Sequence, residues 1–290
     1  MPAIQQILFP VDFSRHSDGA APYVRAMAEQ AGAEVTLFHA LDAADYLFNA
    51  GELGGYMVND FYRFHVEKST QQLNEYRLAD FPNAKRKLCE GDPGGRIVAY
   101  AHANEIDLIM LPTQGLGPFR RYLIGSTTAK VLHDAHCPVW TGVHLGDSPP
   151  ATTAAYSPKH ILCAVDLTAQ ADAALRWAAD LAESTGAMLT LAHAVPTVDT
   201  RPAKYLDQEF HSELRRLASL EIEKLQERLH TKAPVLLLEG EPPKALHDAA
   251  VAQGVDLMVI ARGSAAEGFG RLRRHAYDII RKAPCPTVSV

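Results

Sequence analysis

The chain has 290 residues, with 28 Lys plus Arg against 34 Asp plus Glu, a formal charge of −6 and 47% hydrophobic residues. This length exceeds the commonest domain size and argues for two domains. The acidic balance argues against a general affinity for nucleic acid or an anionic membrane. No apolar run reaches the roughly 20 residues of a membrane span, and the opening MPAIQQILFPVDF has no basic stretch followed by a long apolar one, so a soluble, cytoplasmic protein is expected. Cys89, Cys137, Cys163 and Cys285 show no CxxC spacing and are expected as reduced thiols in or near cores.

In chain order, short β-branched or apolar runs predict strands at 7–11, 34–39, 85–89, 107–111 and 138–143. Between them, apolar residues three and four apart predict helices over 17–31, 59–79, 95–104 and 126–135. Strands alternating with helices require crossovers, hence an α/β fold with a parallel sheet covered on both faces. The connection 41–60, with Tyr46, Phe48, Tyr56 and Met57, is longer and more aromatic than a simple link needs and reads as a cleft cover or an interface.

The chain then repeats itself. ILFPVDFSRHSDGAAPYVRAMAEQAGAEVTLFHAL from Ile7 aligns with ILCAVDLTAQADAALRWAADLAESTGAMLTLAHAV from Ile161 at a fixed offset of 154 residues, which pairs Asp12 with Asp166, Gly32 with Gly186 and His39 with His193. CEGDP at Cys89 matches LEGEP at Leu238, and HCPV at His136 matches PCPT at Pro284. Two copies of one domain are therefore expected, at 1–146 and 159–290, joined by a Pro-, Ser- and Thr-rich linker at 147–158. Each copy should carry five strands.

In open sheets of this kind, ligands sit beyond the carboxyl ends of strands, where the chain changes direction across the sheet. Asp12, just past the first strand, and the segment LPTQGLGPFRRYLIGSTTAKV at 111–131 both fall at such ends. A helix beginning at Gly125 or Ser126 presents unpaired N–H groups and the positive end of its dipole, and glycines let a ligand approach the backbone. That combination suits phosphate. Ser126 and Thr127 can add hydroxyl donors, Arg120 or Arg121 can pair with a terminal phosphate, and Asp12 can accept from sugar hydroxyls. The bland alternative is a helix cap after a flexible turn. No Gly-Lys-Ser/Thr occurs anywhere, and PVDFSRHSDG stands where a dinucleotide fold carries G-x-G-x-x-G, so neither a P-loop nor a Rossmann dinucleotide site is expected.

These residues resemble the universal stress protein family in its tandem form. The resemblance is carried by PVD at 10–12, AVD at 164–166, the Asp-Leu-Ile of strand four, the glycine loop and CPV at Cys137. The family's loop reads Gly-x2-Gly-x9-Gly-Ser/Thr. Here Pro112 stands for the first glycine, Gly115 for the second, and Gly125-Ser126 completes the pattern. The resemblance implies Rossmann-like sandwiches of the adenine nucleotide alpha hydrolase type, two in tandem, each with strand order 3-2-1-4-5. It implies ATP, or AMP or ADP, with Mg²⁺ as a companion ion. Asp12 with Pro10 and Val11 would contact the nucleoside, and the backbone near Ala40 would face adenine. Pro112 and Thr113 would lie by the ribose, and Gly115, Arg121, Gly125, Ser126 and Thr127 by the phosphates. It also implies pairing of the two last strands as an intramolecular pseudo-dimer, with a homodimer of chains as a further step.

The second copy keeps Asp166 but has Ala261 and Ser264 at the glycine positions, Gly263 one residue out of place, and Arg273-Arg274 in place of Gly-Ser. Either it has lost the nucleotide and serves as a structural partner, the reading favoured here, or Arg262, Arg271, Arg273 and Arg274 hold another anion. His133, His136 and Cys137 lack a second ligand pair for structural zinc, so no metal site is expected. His39 and His193 read as satisfied core histidines, and Glu90, Asp92, Glu239 and Glu241 as turn and capping residues. Three functions compete: a nucleotide-binding stress regulator, a weak ATPase or phosphoryl or nucleotidyl transferase, and a nucleotide-free scaffold. No residue stands in a recognised catalytic motif, so an enzyme is the less favoured reading.

Overall fold

A computed structural model of the chain describes residues 2–42, 55–113, 124–142, 156–195, 204–262 and 274–290. It divides into two compact units, Ala3–Val139 and Ser157–Val290 forming their bulk.

The first copy of the repeat runs β1 (Gln6–Pro10), α1 (Arg15–Ala31), β2 (Glu34–Leu41), α2 (Gly55–Glu75), β3 (Lys85–Glu90), α3 (Pro93–Ala103), β4 (Leu108–Pro112), α4 (Ser126–Asp134) and β5 (Val139–Gly142). Its strand order is β3-β2-β1-β4-β5, with β1 parallel to β2 in the register Gln6↔Glu34 to Pro10↔Phe38 and parallel to β4 at Ile7↔Leu108. Ile7, Leu8 and Phe9 of β1 and Leu108, Ile109 and Met110 of β4 are fully buried, as central strands covered on both faces must be. Edge strand β3 differs. Its KRKLCE alternates exposed and half-buried positions, and Lys85, Arg86 and Lys87 charge a rim that would otherwise invite pairing.

The second unit runs β6 (His160–Ala164), α5 (Ala171–Thr185), β7 (Met188–Val195), α6 (Lys204–Leu229), β8 (Val235–Glu239), α7 (Pro242–Gln253), β9 (Leu257–Ile260), α8 (Arg274–Lys282) and β10 (Thr287–Ser289). Its order β8-β7-β6-β9-β10 repeats that of the first unit, and its pairings are parallel. Among the described residues no helix is long and apolar enough to cross a membrane.

Several boundaries differ from the sequence expectation for identifiable reasons. Helix α2 stops at Glu75, four residues before the expected end. The Arg86 guanidinium collects the carbonyls of Leu73, Tyr76 and Phe81 at 2.7, 3.0 and 3.2 Å, and Arg77 enters the left-handed region at φ 45°, so the last turn closes on a side chain instead of continuing. Strand β2 runs on to Leu41 because Ala40 and Leu41 still pair with Cys89 and Glu90. Helix α3 begins at Pro93, whose missing N–H costs nothing at the first helical position, with Asp92 accepting from Gly95 N at 2.8 Å.

One device recurs in both units. Asp107, just before β4, accepts from the backbone N–H groups of Gln5 and Gln6 at 2.8 and 2.9 Å and returns its own N–H to Gln6 O at 3.0 Å. Asp256, just before β9, does the same for Lys159 and His160 at 3.1 and 3.2 Å, and its N–H meets His160 O at 3.1 Å. Each carboxylate clamps the entry of its unit's first strand.

Candidate functional site

In the first unit the strand order reverses between β1 and β4, so the loops leaving these two neighbours flank the crevice where such sheets take ligands. On the β1 side, Val11 N donates to Phe38 O at 2.8 Å, and His39 Nδ1 donates to Val11 O at 2.7 Å. Both polar groups of Val11 are thus used within the fold. Phe13 follows at φ 59°, a left-handed conformation that a bulky residue adopts only when its surroundings impose it. The ring of Phe13 packs on His39 at 4.4 Å and on Tyr76 at 5.5 Å between centroids. Ser14 then caps α1 by accepting from Ser17 N at 3.3 Å.

Asp12, half-buried, is held on one side. Its Oδ1 accepts from Ser14 N at 3.0 Å and from Ser17 Oγ at 2.6 Å. Its Oδ2 accepts from none of the described residues. Burial lowers the pKa of His39, opposed by its bond to Val11 and by the charge of Asp12. Burial, followed by the charge of Asp18, raises that of Tyr76, whose hydroxyl donates to Asp18 Oδ1 at 3.0 Å.

On the β4 side, Pro112 is the last residue of the strand and is buried, and its carbonyl accepts from Thr128 Oγ1 at 3.1 Å. Thr113 O accepts from Gly125 N at 2.9 Å, which ties the start of α4 back to the strand end. Gly125 is the N-cap, at φ −60° and ψ 152°, and no side chain caps the helix. Ser126 is exposed and Thr127 half-exposed, whereas Thr128 is buried. Among the expected site residues, Asp12 with Pro10 and Val11 lies on one loop, Ala40 at the end of β2, and Pro112, Thr113, Gly125, Ser126 and Thr127 on the other. Gly115 and Arg121, with Arg120, fall outside the described residues.

The sequence reading passed over Ser17, Phe13 and Tyr76. The paired copies carried a signal for the first: Ser17 aligns with Ala171.

The second unit keeps the turn and changes the chemistry. Leu167 stands at φ 59°, Val165 N donates to Ala192 O at 2.9 Å, and His193 Nδ1 donates to Val165 O at 2.8 Å. Asp166, however, is exposed, and its Oδ1 accepts from Thr168 N and Oγ1 at 3.1 and 2.7 Å. Arg262 is buried, and its N–H joins Val290 O at 2.9 Å. Gly263, Ser264, Arg271 and Arg273 lie outside the described residues, and Arg274 opens α8.

His133 sits in the last turn of α4 against Asp134, and the His136 ring lies 5.3 Å from that of His102. Among the described residues no group of three His, Cys, Asp or Glu side chains is placed to hold a metal ion.

The repeated order of parallel strands, each unit with an aspartate after its first strand, defines a tandem α/β protein of two related sandwiches. The chain belongs to the Universal stress protein family, which it matches over residues 3–141 and 158–290. Among curated relatives, Universal stress protein MJ0531 of Methanocaldococcus jannaschii is 25% identical over 135 residues, covering 47% of this chain and 79% of that protein. The Universal stress protein in QAH/OAS sulfhydrylase 3'region of Thermus aquaticus is 30% identical over 139 residues, covering 46% and 94%. Each alignment spans about half of this chain, the length of one copy. A crystal structure of a universal stress protein from Archaeoglobus fulgidus superposes with TM-score 0.64 at 19% identity, covering 98% of this chain and 95% of that one, a likeness of fold.

Proposed function

We propose that the first unit binds an adenine nucleotide, ATP or its di- or monophosphate, and that the protein acts as a stress-response regulator or binding module whose state follows occupancy. The observation that carries this reading is the pairing, at one switch point, of an aspartate with one carboxylate oxygen unengaged among the described residues and a helix whose N-cap glycine supplies no side-chain cap. An uncapped helix start with two adjoining hydroxyls attracts phosphate, and the spare oxygen of Asp12 accepts from a sugar hydroxyl. Ala40, one residue before the end of β2, is the backbone position that this reading gives to the base. Gly115 and Arg121 complete the phosphate contacts in this reading. It assigns no step to Mg²⁺. The second unit, with Asp166 exposed and arginines replacing Gly-Ser, has lost the nucleotide in this reading and keeps a structural role.

Titration calorimetry of the full chain with ATP tests the proposal. The expected result is saturable binding at one nucleotide per chain; absence of binding, or two equivalent sites, would overturn it. A weak ATPase is the second reading. Phosphate release at saturating ATP separates the two, and turnover faster than nucleotide exchange would favour the enzyme.

A further inference from the structure

We infer that Ser17 is a positioning residue that fixes Asp12 toward the vicinal hydroxyls of a ribose, so that the crevice selects ribonucleotides over their deoxy forms; this rests on the nucleotide reading above. The Ser17 hydroxyl is buried and closes a small circuit. It donates to Asp12 Oδ1 at 2.6 Å and accepts from the N–H of Asp12 itself at 3.3 Å, while Ser14 N supplies the second donor to Oδ1 at 3.0 Å. A carboxylate free at both oxygens turns about its last torsion. Pinned at Oδ1 by two donors, this one holds Oδ2 in a single direction, and that oxygen's lone pairs complement two adjacent O–H donors. Preorganisation of this kind strengthens a polar contact because less freedom is lost when the ligand arrives.

The second unit is a built-in control. Its backbone makes the same left-handed turn, at φ 59° for Leu167 as for Phe13, so the turn alone does not separate the two copies. Ala171 occupies the place of Ser17, at the first position of α5, and has no hydroxyl to reach back. Asp166 binds the closer Thr168 instead and is exposed where Asp12 is half-buried. Asp166 Oδ1 still has one amide and one hydroxyl donor, both from Thr168, so the copies differ in which residue supplies the hydroxyl and in the burial of the aspartate as well as in the glycine loop.

The test is calorimetric titration of the full-length protein with ATP, 2′-deoxy-ATP and 3′-deoxy-ATP. Wild-type protein should prefer ATP over each deoxy form by about tenfold, the worth of one hydrogen bond to a charged group. In Ser17→Ala the ATP affinity should fall about tenfold and the deoxy affinities less than twofold, with Ser17→Thr restoring the preference. An equal loss for all three nucleotides, or an unchanged preference, overturns the role of Ser17. Wild-type protein that binds none of them defeats the nucleotide reading itself, which keeps the two failures apart. If circular dichroism shows Ser17→Ala unfolded, Ser17→Cys, similar in size and weaker as a donor, supplies the same ratio.

Discussion

Replacing Gly125 by aspartate should move stability and affinity in opposite directions. Gly125 already has the extended backbone of an N-cap, φ −60° and ψ 152°, and contributes no side-chain bond. Elsewhere in this unit the cap residues Ser14 and Asp92 each accept from the amide three residues on, at 3.3 and 2.8 Å. In Gly125→Asp the new carboxylate should take the Thr128 N–H in the same way. The cap is worth a few tenths of a kcal/mol over glycine, and a negative charge at the positive end of the helix adds about 0.3–1 kcal/mol. The melting temperature should rise by about 2–4 °C. Nucleotide affinity should collapse, because the carboxylate occupies and repels at the spot where the proposed reading puts phosphate. Loss of two charge-assisted amide bonds, at about 1.5 kcal/mol or more each, removes at least about 3 kcal/mol, or roughly 100-fold in Kd. Differential scanning fluorimetry without ligand and calorimetry with ATP read the two effects. A higher melting temperature with Kd within about threefold of wild type would refute the claim that these amides receive phosphate.

Two further outcomes follow from the same geometry. Gly32 and Gly186 end α1 and α5 at φ 65° and 69°, and a Cβ added at either meets nothing within 4 Å, so Gly32→Ala and Gly186→Ala should each cost about 1 kcal/mol from backbone strain alone; chemical denaturation that shows neither destabilised would contradict the left-handed caps. His39 is held neutral by burial, its pKa lowered in the folded protein, so its contribution to stability is full above its unfolded pKa of about 6.5 and is lost as pH falls from there through the folded value. In His39→Gln the drop in melting temperature between pH 7.5 and 5.5 should be smaller than in wild type, and an equal or larger drop would count against a buried neutral imidazole.

Much of the architecture was legible because the hydrophobic pattern switches cleanly. ILFPV and LIML are short and uniformly apolar, as strands buried on both faces are, whereas SDGAAPYVRAMAEQA carries helical spacing. Helix ends were less legible, since they depend on partners distant in sequence: nothing near Glu75 announces that Arg86 will gather three carbonyls there. Asp12 was legible as a candidate because it sits at a strand end. Its support was harder to see, because Ser17 lies one helical turn away and its importance emerges only when its hydroxyl is placed against Oδ1. Pro112 illustrates the opposite case. It departs from the loop pattern, yet at the last residue of β4 it keeps its carbonyl, which Thr128 engages.

The clamps of Asp107 and Asp256 grip main-chain amides and ignore the side chains that carry them. Residues 5, 6 and 159 are therefore free to vary in identity without loosening the latch, proline excepted, whereas the buried His160 is also held through its ring by Gln253 O and Thr190 Oγ1 at 3.0 and 2.9 Å. Excising one carboxylate, by contrast, would strip two main-chain amides of their acceptor at the point where each repeat begins.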